Sequence, residues 1–326
     1  MGIEVRNLSK NYRVIKRSKG MRGAVKQLIH PQYETIEAVK DISFYVADGD
    51  IVGLIGPNGA GKSTIIKLLV DILYPDFGTI NINGTDIQKN KKKYKSKIGV
   101  VFGQRSQLWW DIPIIESFKL YKEMYKISED IFKKNMMLFD DILDLYDFYY
   151  KPARQLSLGQ RMRADLCAAL LHNPEVLFLD EPTIGIDIVA KEKMRKFIKE
   201  INREKKTTII LTTHDIGDIE NLSDELVLID KGKLIYHGNI ESLKSDYGRE
   251  TVIVVRDTSQ RLEQIKAQFN ISNSYMTNDG ALNIVFSKDQ YSINEVMYKL
   301  IGRFSPKDIK IRETSLEEVV KSIYKS

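Results

Sequence analysis

Two kinds of apolar pattern alternate along the first 240 residues. Residues 51–55, 98–102, 176–179 and 208–213 are short apolar runs rich in β-branched side chains, each bounded by polar or turn residues, and 3–5 and 42–46 read as further short strands. Between them lie longer stretches in which apolar positions recur every three or four residues. Strands that are apolar without alternation are buried on both faces, so this pattern predicts a mainly parallel sheet covered by helices. The run at 51–55 leads straight into a glycine-rich segment, and residues 62–72 continue with helical spacing. Residues 226–230 and 234–236, joined across Lys231-Gly232-Lys233, read as a hairpin.

The texture changes twice. Residues 107–151 are rich in Tyr, Phe, Met, Leu, Lys and Asp with helical periodicity, and predict an inserted helical subdomain at about 105–160. After Tyr247 the expected order is a strand at 251–256, a helix at 260–269, and strands at 273–277 and 282–286 across Asn278-Asp279-Gly280. A helix at 291–301, a strand at 309–312 and a helix at 316–324 follow. The order βαββαβ is that of a ferredoxin-like unit. Thr314 or Ser315, each three residues ahead of a glutamate, can form a capping box for the last helix. The expected fold is thus α/β over residues 1–245 with a small α+β domain over 246–326. No internal repeat is evident.

Composition narrows the setting. Of 326 residues, 43% are hydrophobic and 29% charged, as in soluble globular proteins. No stretch approaches the roughly 18 apolar residues of a membrane span. The start Met1-Gly2-Ile3-Glu4-Val5-Arg6 lacks the pattern of a secretory signal or of myristoylation. The single cysteine, Cys167, excludes an internal disulfide, lies in an apolar helical pattern and is expected to be a packed core thiol, which fits a cytoplasmic setting. A net charge of +6 favours acidic partners without choosing among them.

The candidate chemistry begins at Gly56-Pro57-Asn58-Gly59-Ala60-Gly61-Lys62-Ser63-Thr64. Small residues let backbone N–H groups wrap phosphate oxygens, and the following helix aims its positive end at the same anion. Lys62 is placed to reach β- and γ-phosphates and the Ser63 hydroxyl to ligate Mg²⁺. Asp180 ends an apolar strand, where its carboxylate can orient the metal. Glu181, one residue on, can polarise an attacking water as general base.

Leu156-Ser157-Leu158-Gly159-Gln160 resembles the signature Leu-Ser-Gly-Gly-Gln of the ATP-binding cassette (ABC) family, departing from it at Leu158. With the phosphate loop and Asp180-Glu181-Pro182 in this order, the resemblance covers about residues 1–240. It implies an ATPase in which two copies meet head to tail with two MgATP molecules between them. Ser157, Gly159 and Gln160 of one copy would then face the γ-phosphate bound by the other. Gln104 is similar to the family glutamine that senses Mg²⁺ and water, and His214 to the switch histidine that contacts the γ-phosphate. Asp187, in Ile184-Gly185-Ile186-Asp187, resembles the subunit-contact aspartate. Tyr12 resembles the aromatic that stacks on adenine, with Tyr33 and Tyr45 as alternatives.

The tail Glu313-Thr314-Ser315-Leu316-Glu317-Glu318-Val319 is similar to that of ATPases paired with ABC-2-type export permeases. The run 158–163 and the basic segment carrying Arg13, Lys16, Arg17, Lys19, Arg22 and Lys26 point the same way. The resemblance therefore implies export through a separately encoded permease, with peripheral contact at the cytoplasmic face of the membrane. Trp109 and Trp110, followed by Ile112, Pro113 and Ile114, are candidates for the permease contact; packing inside the subdomain is the alternative. The basic segment can touch permease or anionic lipid, or be a solvated loop; Lys89–Lys95 reads as a solvated loop. A rival reading is a soluble ABC protein acting on ribosomes or nucleic acid. One cassette and no sustained heptad run argue against it, so no nucleic-acid partner is expected. The C-terminal unit can be a dimer prop or a ligand-sensing module.

Overall fold

The computed structural model describes residues 2–15, 33–103, 105–248, 250–269, 274–277, 280–287 and 291–325. Gln104, Lys16, Arg17, Lys19, Arg22, Lys26 and the Asn278-Asp279 turn lie outside the described residues.

The chain forms two compact units, Met1–Gly238 and Asn239–Ser326. The first opens with β1 (Gly2–Ile15), β2 (Tyr33–Ala47) and β3 (Ile51–Ile55), then α1 (Lys62–Leu69), β4 (Phe77–Ile82), β5 (Thr85–Asp86), α2 (Lys91–Lys95) and β6 (Ile98–Phe102). The helices α3 (Ile114–Tyr125) and α4 (Glu129–Leu143) follow within the stretch expected to be a helical subdomain, and α5 (Leu158–Leu170) starts at its end and runs beyond it. Next come β7 (Val176–Asp180), α6 (Ile188–Lys205), β8 (Thr208–Thr212), α7 (Ile216–Leu222), β9 (Glu225–Asp230) and β10 (Lys233–Asn239).

The main sheet has the order β10-β9-β3-β8-β7-β6, and its β3·β9, β3·β8, β8·β7 and β7·β6 pairs are parallel. Its strands β3, β7 and β8 are buried nearly throughout, β8 at every residue. The expected parallel, doubly covered sheet is therefore present. The β9–β10 hairpin is also present, with both connecting residues, Lys231 and Gly232, at positive φ. Two consecutive positive φ values give the turn a twist that matches the flanking strands.

A second sheet, β2-β1-β4-β5, is antiparallel in its three pairings. Here the structure corrects the sequence reading. The strands expected at 3–5 and 42–46 are the buried ends of much longer ones, and β4 and β5 were not expected at all. From Ser9 onward β1 loses the alternation of buried and exposed residues. That stretch is held by backbone pairing, which leaves no apolar signal. The helix expected over 62–72 stops at Leu69, because Asp71 adopts the left-handed conformation (φ 56°) that a short polar side chain tolerates.

The second unit contains α8 (Ile240–Tyr247), β11 (Glu250–Arg256), α9 (Ser259–Phe269), β12 (Tyr275–Met276), β13 (Leu282–Ser287), α10 (Ile293–Phe304), β14 (Asp308–Glu313) and α11 (Leu316–Lys325). Its sheet runs β12-β13-β11-β14 with every pair antiparallel. The apolar faces of α9 and α10 close its core through Leu262, Ile265, Val296 and Leu300. The boundary falls before α8 rather than at 245/246, because α8 packs with α11. Of the two cap candidates Ser315 is used: its Oγ accepts from Glu318 N at 3.3 Å while Glu318 Oε2 accepts from Ser315 N at 3.0 Å.

Among the described residues, no helix is long and apolar enough to cross a membrane. Cys167 is fully buried, as expected, and burial pushes its thiol pKa up.

Candidate active site

The loop between β3 and α1 exposes Pro57, Asn58, Gly59 and Ser63 and buries Ala60 and the Lys62 side chain. Gly61 sits at φ 111°, and a Cβ there would come within 2.5 Å of the Ala38 carbonyl oxygen. The loop is fastened on its far side by Gly232 N donating to Ala60 O at 3.0 Å. Lys62 Nζ donates to Gly56 O at 2.7 Å and Pro57 O at 3.2 Å, so its ammonium is curled under the loop. Burial lowers the Lys62 pKa, and the carboxylates of Glu181 and Asp180 oppose that shift. Thr64 is half-buried one turn into α1.

Asp180 closes β7 beside this loop. Its Oδ1 accepts from Thr212 Oγ1 at 2.6 Å and from Ser63 Oγ at 3.4 Å. Glu181 N donates to both the carbonyl (3.0 Å) and the hydroxyl (3.1 Å) of Thr212, which holds Glu181 at φ 57°. A non-glycine residue in that region costs of order 1–3 kcal/mol and persists only where its surroundings fix it. His214 Nε2 lies 2.6 Å from Glu181 Oε1. A cleft of about 310 Å³ opens here, lined by Ser63, Lys67, Gly103, Arg105, Asp180 and Glu181 among others.

Lys62, Ser63, Asp180, Glu181 and His214, distant in sequence, are thus brought together. Thr212 and Gly103 complete the arrangement and escaped the sequence reading. Thr212 lies in a fully buried strand whose pattern reads only as core. Gly103 N donates to Asp180 O at 2.7 Å, and a Cβ on it would meet the Glu181 carbonyl oxygen at 2.3 Å. Its position next to Gln104 was the available signal.

Ser157, Gly159, Gln160 and Asp187 do not line this cleft; they form a second group. Ser157, exposed, caps α5: its Oγ accepts from Gln160 N at 3.2 Å, and Ser157 N donates to Gln160 Oε1 at 3.0 Å. The serine hydroxyl proton therefore remains for an outside acceptor. Gly159 is buried, with Ala190 Cβ and Asp187 Oδ2 at 3.4 and 3.8 Å from the position of a Cβ. Leu158 Cδ2 lies against Gly185, 2.9 Å from where a Cβ on that glycine would sit. Asp187 caps α6 by accepting from Ala190 N at 2.9 Å. Beside it Ile184, Ile188 and Val189 are 41, 81 and 67% exposed.

Tyr12, half-buried on β1, pairs with Ile36, two residues before Ala38 at the phosphate loop. Tyr33 and Tyr45 lie toward the two ends of β2 and are exposed. Past Gln104, the segment is tied to α5: Asp165 Oδ1 accepts from Ser106 Oγ and Gln107 N, each at 2.9 Å. Burial raises the Asp165 pKa to about 6. Trp109 and Trp110 are 41 and 51% exposed, so neither is core packing. The Trp109 ring lies 5.3 Å from that of Tyr121, and the Arg161 guanidinium lies over Trp110.

Comparison with known proteins accords with this geometry. The family model described as ABC transporter matches residues 39–184. The chain is 31% identical over 210 residues to the ABC transporter ATP-binding protein NatA of Bacillus subtilis (strain 168), covering 64% of this chain and 85% of that protein. It is 30% identical over 258 residues to the bacitracin transport ATP-binding protein BcrA of Bacillus licheniformis, covering 77% and 81%. The dimeric structure of a bacterial ABC transporter cassette superposes with a TM-score of 0.60 at 25% identity, over 73% of this chain and 98% of that one. On its loop, its Asp180-Glu181-His214 cluster and these likenesses, the chain belongs to the ABC transporter family as one of its ATP-binding P-loop ATPases.

Proposed function

We propose that two copies of this chain close head to tail around two ATP molecules and drive export through a separately encoded ABC-2-type permease at the cytoplasmic face of the membrane. The observation that carries the reading is the divided site. The cleft is lined by Ser63, Asp180 and Glu181, with Lys62 held under the adjoining loop, whereas exposed Ser157 at the start of α5 belongs to a separate group on the same chain. A second copy brings the two groups together. The exposed Ile184, Ile188 and Val189 beside Asp187 supply apolar surface that such closure would bury.

In this reading the backbone N–H groups from Gly59 to Thr64 cradle the phosphates, and Lys62 turns from the loop carbonyls to the β- and γ-oxygens. Tyr12, nearest the loop in register, stacks on adenine. Ser63 and Asp180 present hard oxygen donors at the rim, a set that suits Mg²⁺; Gln104 would join them. When bound, the ion neutralises charge on the β- and γ-oxygens. Glu181 accepts a proton from the water that attacks the γ-phosphorus, while His214 exchanges its contact with Glu181 for one in which it donates to the γ-phosphate. The bond from the γ-phosphorus to the bridging oxygen breaks, giving ADP and phosphate. Ser157 and the α5 N-terminus of the second copy meet the γ-phosphate from the other side.

Transport accords with the role of BcrA in bacitracin transport, and export with the likeness of the tail over 313–319 to that of ATPases paired with export permeases. Exposed Trp109 and Trp110 offer aromatic anchors for the permease. Purification of the tagged chain from native membranes in mild detergent should bring down a polytopic membrane protein. Ribosomal proteins or nucleic acid without such a partner would favour the soluble alternative. Phosphate release from MgATP tests the chemistry. Glu181→Gln should lower kcat by about 10²–10⁴ with ATP affinity retained; near-normal turnover would remove Glu181 from the role of base.

A further inference from the structure

Asp218 lies on α7, four residues past His214, and is 1% exposed. Its two oxygens serve different partners. Oδ2 accepts from the hydroxyls of Thr183 at 2.6 Å and Thr213 at 3.2 Å. Oδ1 takes Arg195 through Nε at 2.7 Å and a terminal guanidinium nitrogen at 2.5 Å, with Lys191 Nζ at 3.3 Å. Burial opposes the Arg195 charge, yet Asp218 keeps the Arg195 pKa above its ordinary value.

The donors come from three places in the chain. Thr183 stands two residues past Glu181, and Thr213 immediately precedes His214. Lys191 and Arg195 stand on α6, the helix capped by Asp187. A buried carboxylate is tolerable only while its hydrogen bonds and counter-charges are all in place. Displacing any one of the three segments alone therefore leaves charge or polar atoms unpaired. The segments bearing Glu181, His214 and Asp187 are held in one register.

We infer that Asp218 is a positioning residue for hydrolysis, setting the His214–Glu181 pair and linking it to the Asp187 segment. The inference rests on the ATPase reading above. Nothing in the 216–222 sequence pattern signals it, since Thr183 and Arg195 converge on Asp218 only in the fold.

The test is steady-state and single-turnover MgATP hydrolysis by the full chain carrying Asp218→Asn, alone and combined with His214→Ala. The expected result is a kcat lowered by about tenfold or more, with KM and ATP affinity within about twofold of the parent, and little further loss in the His214→Ala background. Thr183→Val, which deletes one hydroxyl and no charge, should give the same split on a smaller scale, and it decides the matter alone where Asp218→Asn does not fold. Equal proportional losses with and without His214, or a lowered Tm with unchanged kcat per folded chain, would overturn the inference. A parent chain that folds and binds ATP but does not hydrolyse it would instead overturn the ATPase reading on which the inference rests, a result distinct from either.

Discussion

Glu181 carries two demands at once. Its carboxylate must face the cleft, and its backbone must turn sharply off β7 at φ 57°. Thr212 answers the second by accepting from Glu181 N with both its carbonyl and its hydroxyl. Gly103 answers it from the opposite side, because its backbone lies against the Glu181 carbonyl with no room for a side chain. Gly103→Ala should therefore lower stability by about 1–3 kcal/mol through forced backbone movement and should lower kcat as well. Thermal unfolding and phosphate release measure both, and an alanine variant with parental Tm and turnover would show that the contact is not restrictive. Among the site residues, the phosphate loop, Asp180 and Glu181 were legible in the sequence because their chemistry is written in consecutive residues after a strand. Thr212 and Asp218 were not, since each acts through partners about 30 or more residues away, Asp180 and Thr183.

At the scale of elements, apolar run length identified the parallel strands β3, β6, β7 and β8, and β9 was read as one arm of the hairpin. The edge sheet of β1, β2, β4 and β5 was only partly legible. Its outer stretches bury little, and backbone pairing leaves no trace in residue type. Between elements, Asp165 on α5 holds the segment after Gln104 through two hydrogen bonds and keeps its proton to about pH 6, against an ordinary carboxyl value of 3.8. Between those values the folded chain binds more protons than the unfolded chain, so its stability falls as pH rises through that window. The shift corresponds to about 3 kcal/mol, fully lost above about pH 6. Denaturant unfolding from pH 3.5 to 7 should show this slope in the parent and a flatter one in Asp165→Asn. The same slope in both would assign it to other groups.

For the whole molecule, the division into Met1–Gly238 and Asn239–Ser326 gives each unit its own apolar core. The sequence revealed two units through its change of texture after the hairpin. It missed the boundary because α8 lies between the hairpin and the second sheet, and only its packing with α11 assigns it. The first unit carries both half-sites, the cleft on Ser63, Asp180 and Glu181 beside the Lys62 loop and the group on Ser157, Gly159 and Asp187. Their separation on one chain is what the proposed pairing of two chains explains.

The most direct measurement is the solution mass of Glu181→Gln, by light scattering, with and without MgATP, beside the same chain also carrying Ser157→Arg. The expected result is a dimer only with MgATP, abolished by Ser157→Arg while ATP still binds. A chain that binds MgATP and stays monomeric, or dimerises equally well with Ser157→Arg, would contradict the divided-site account.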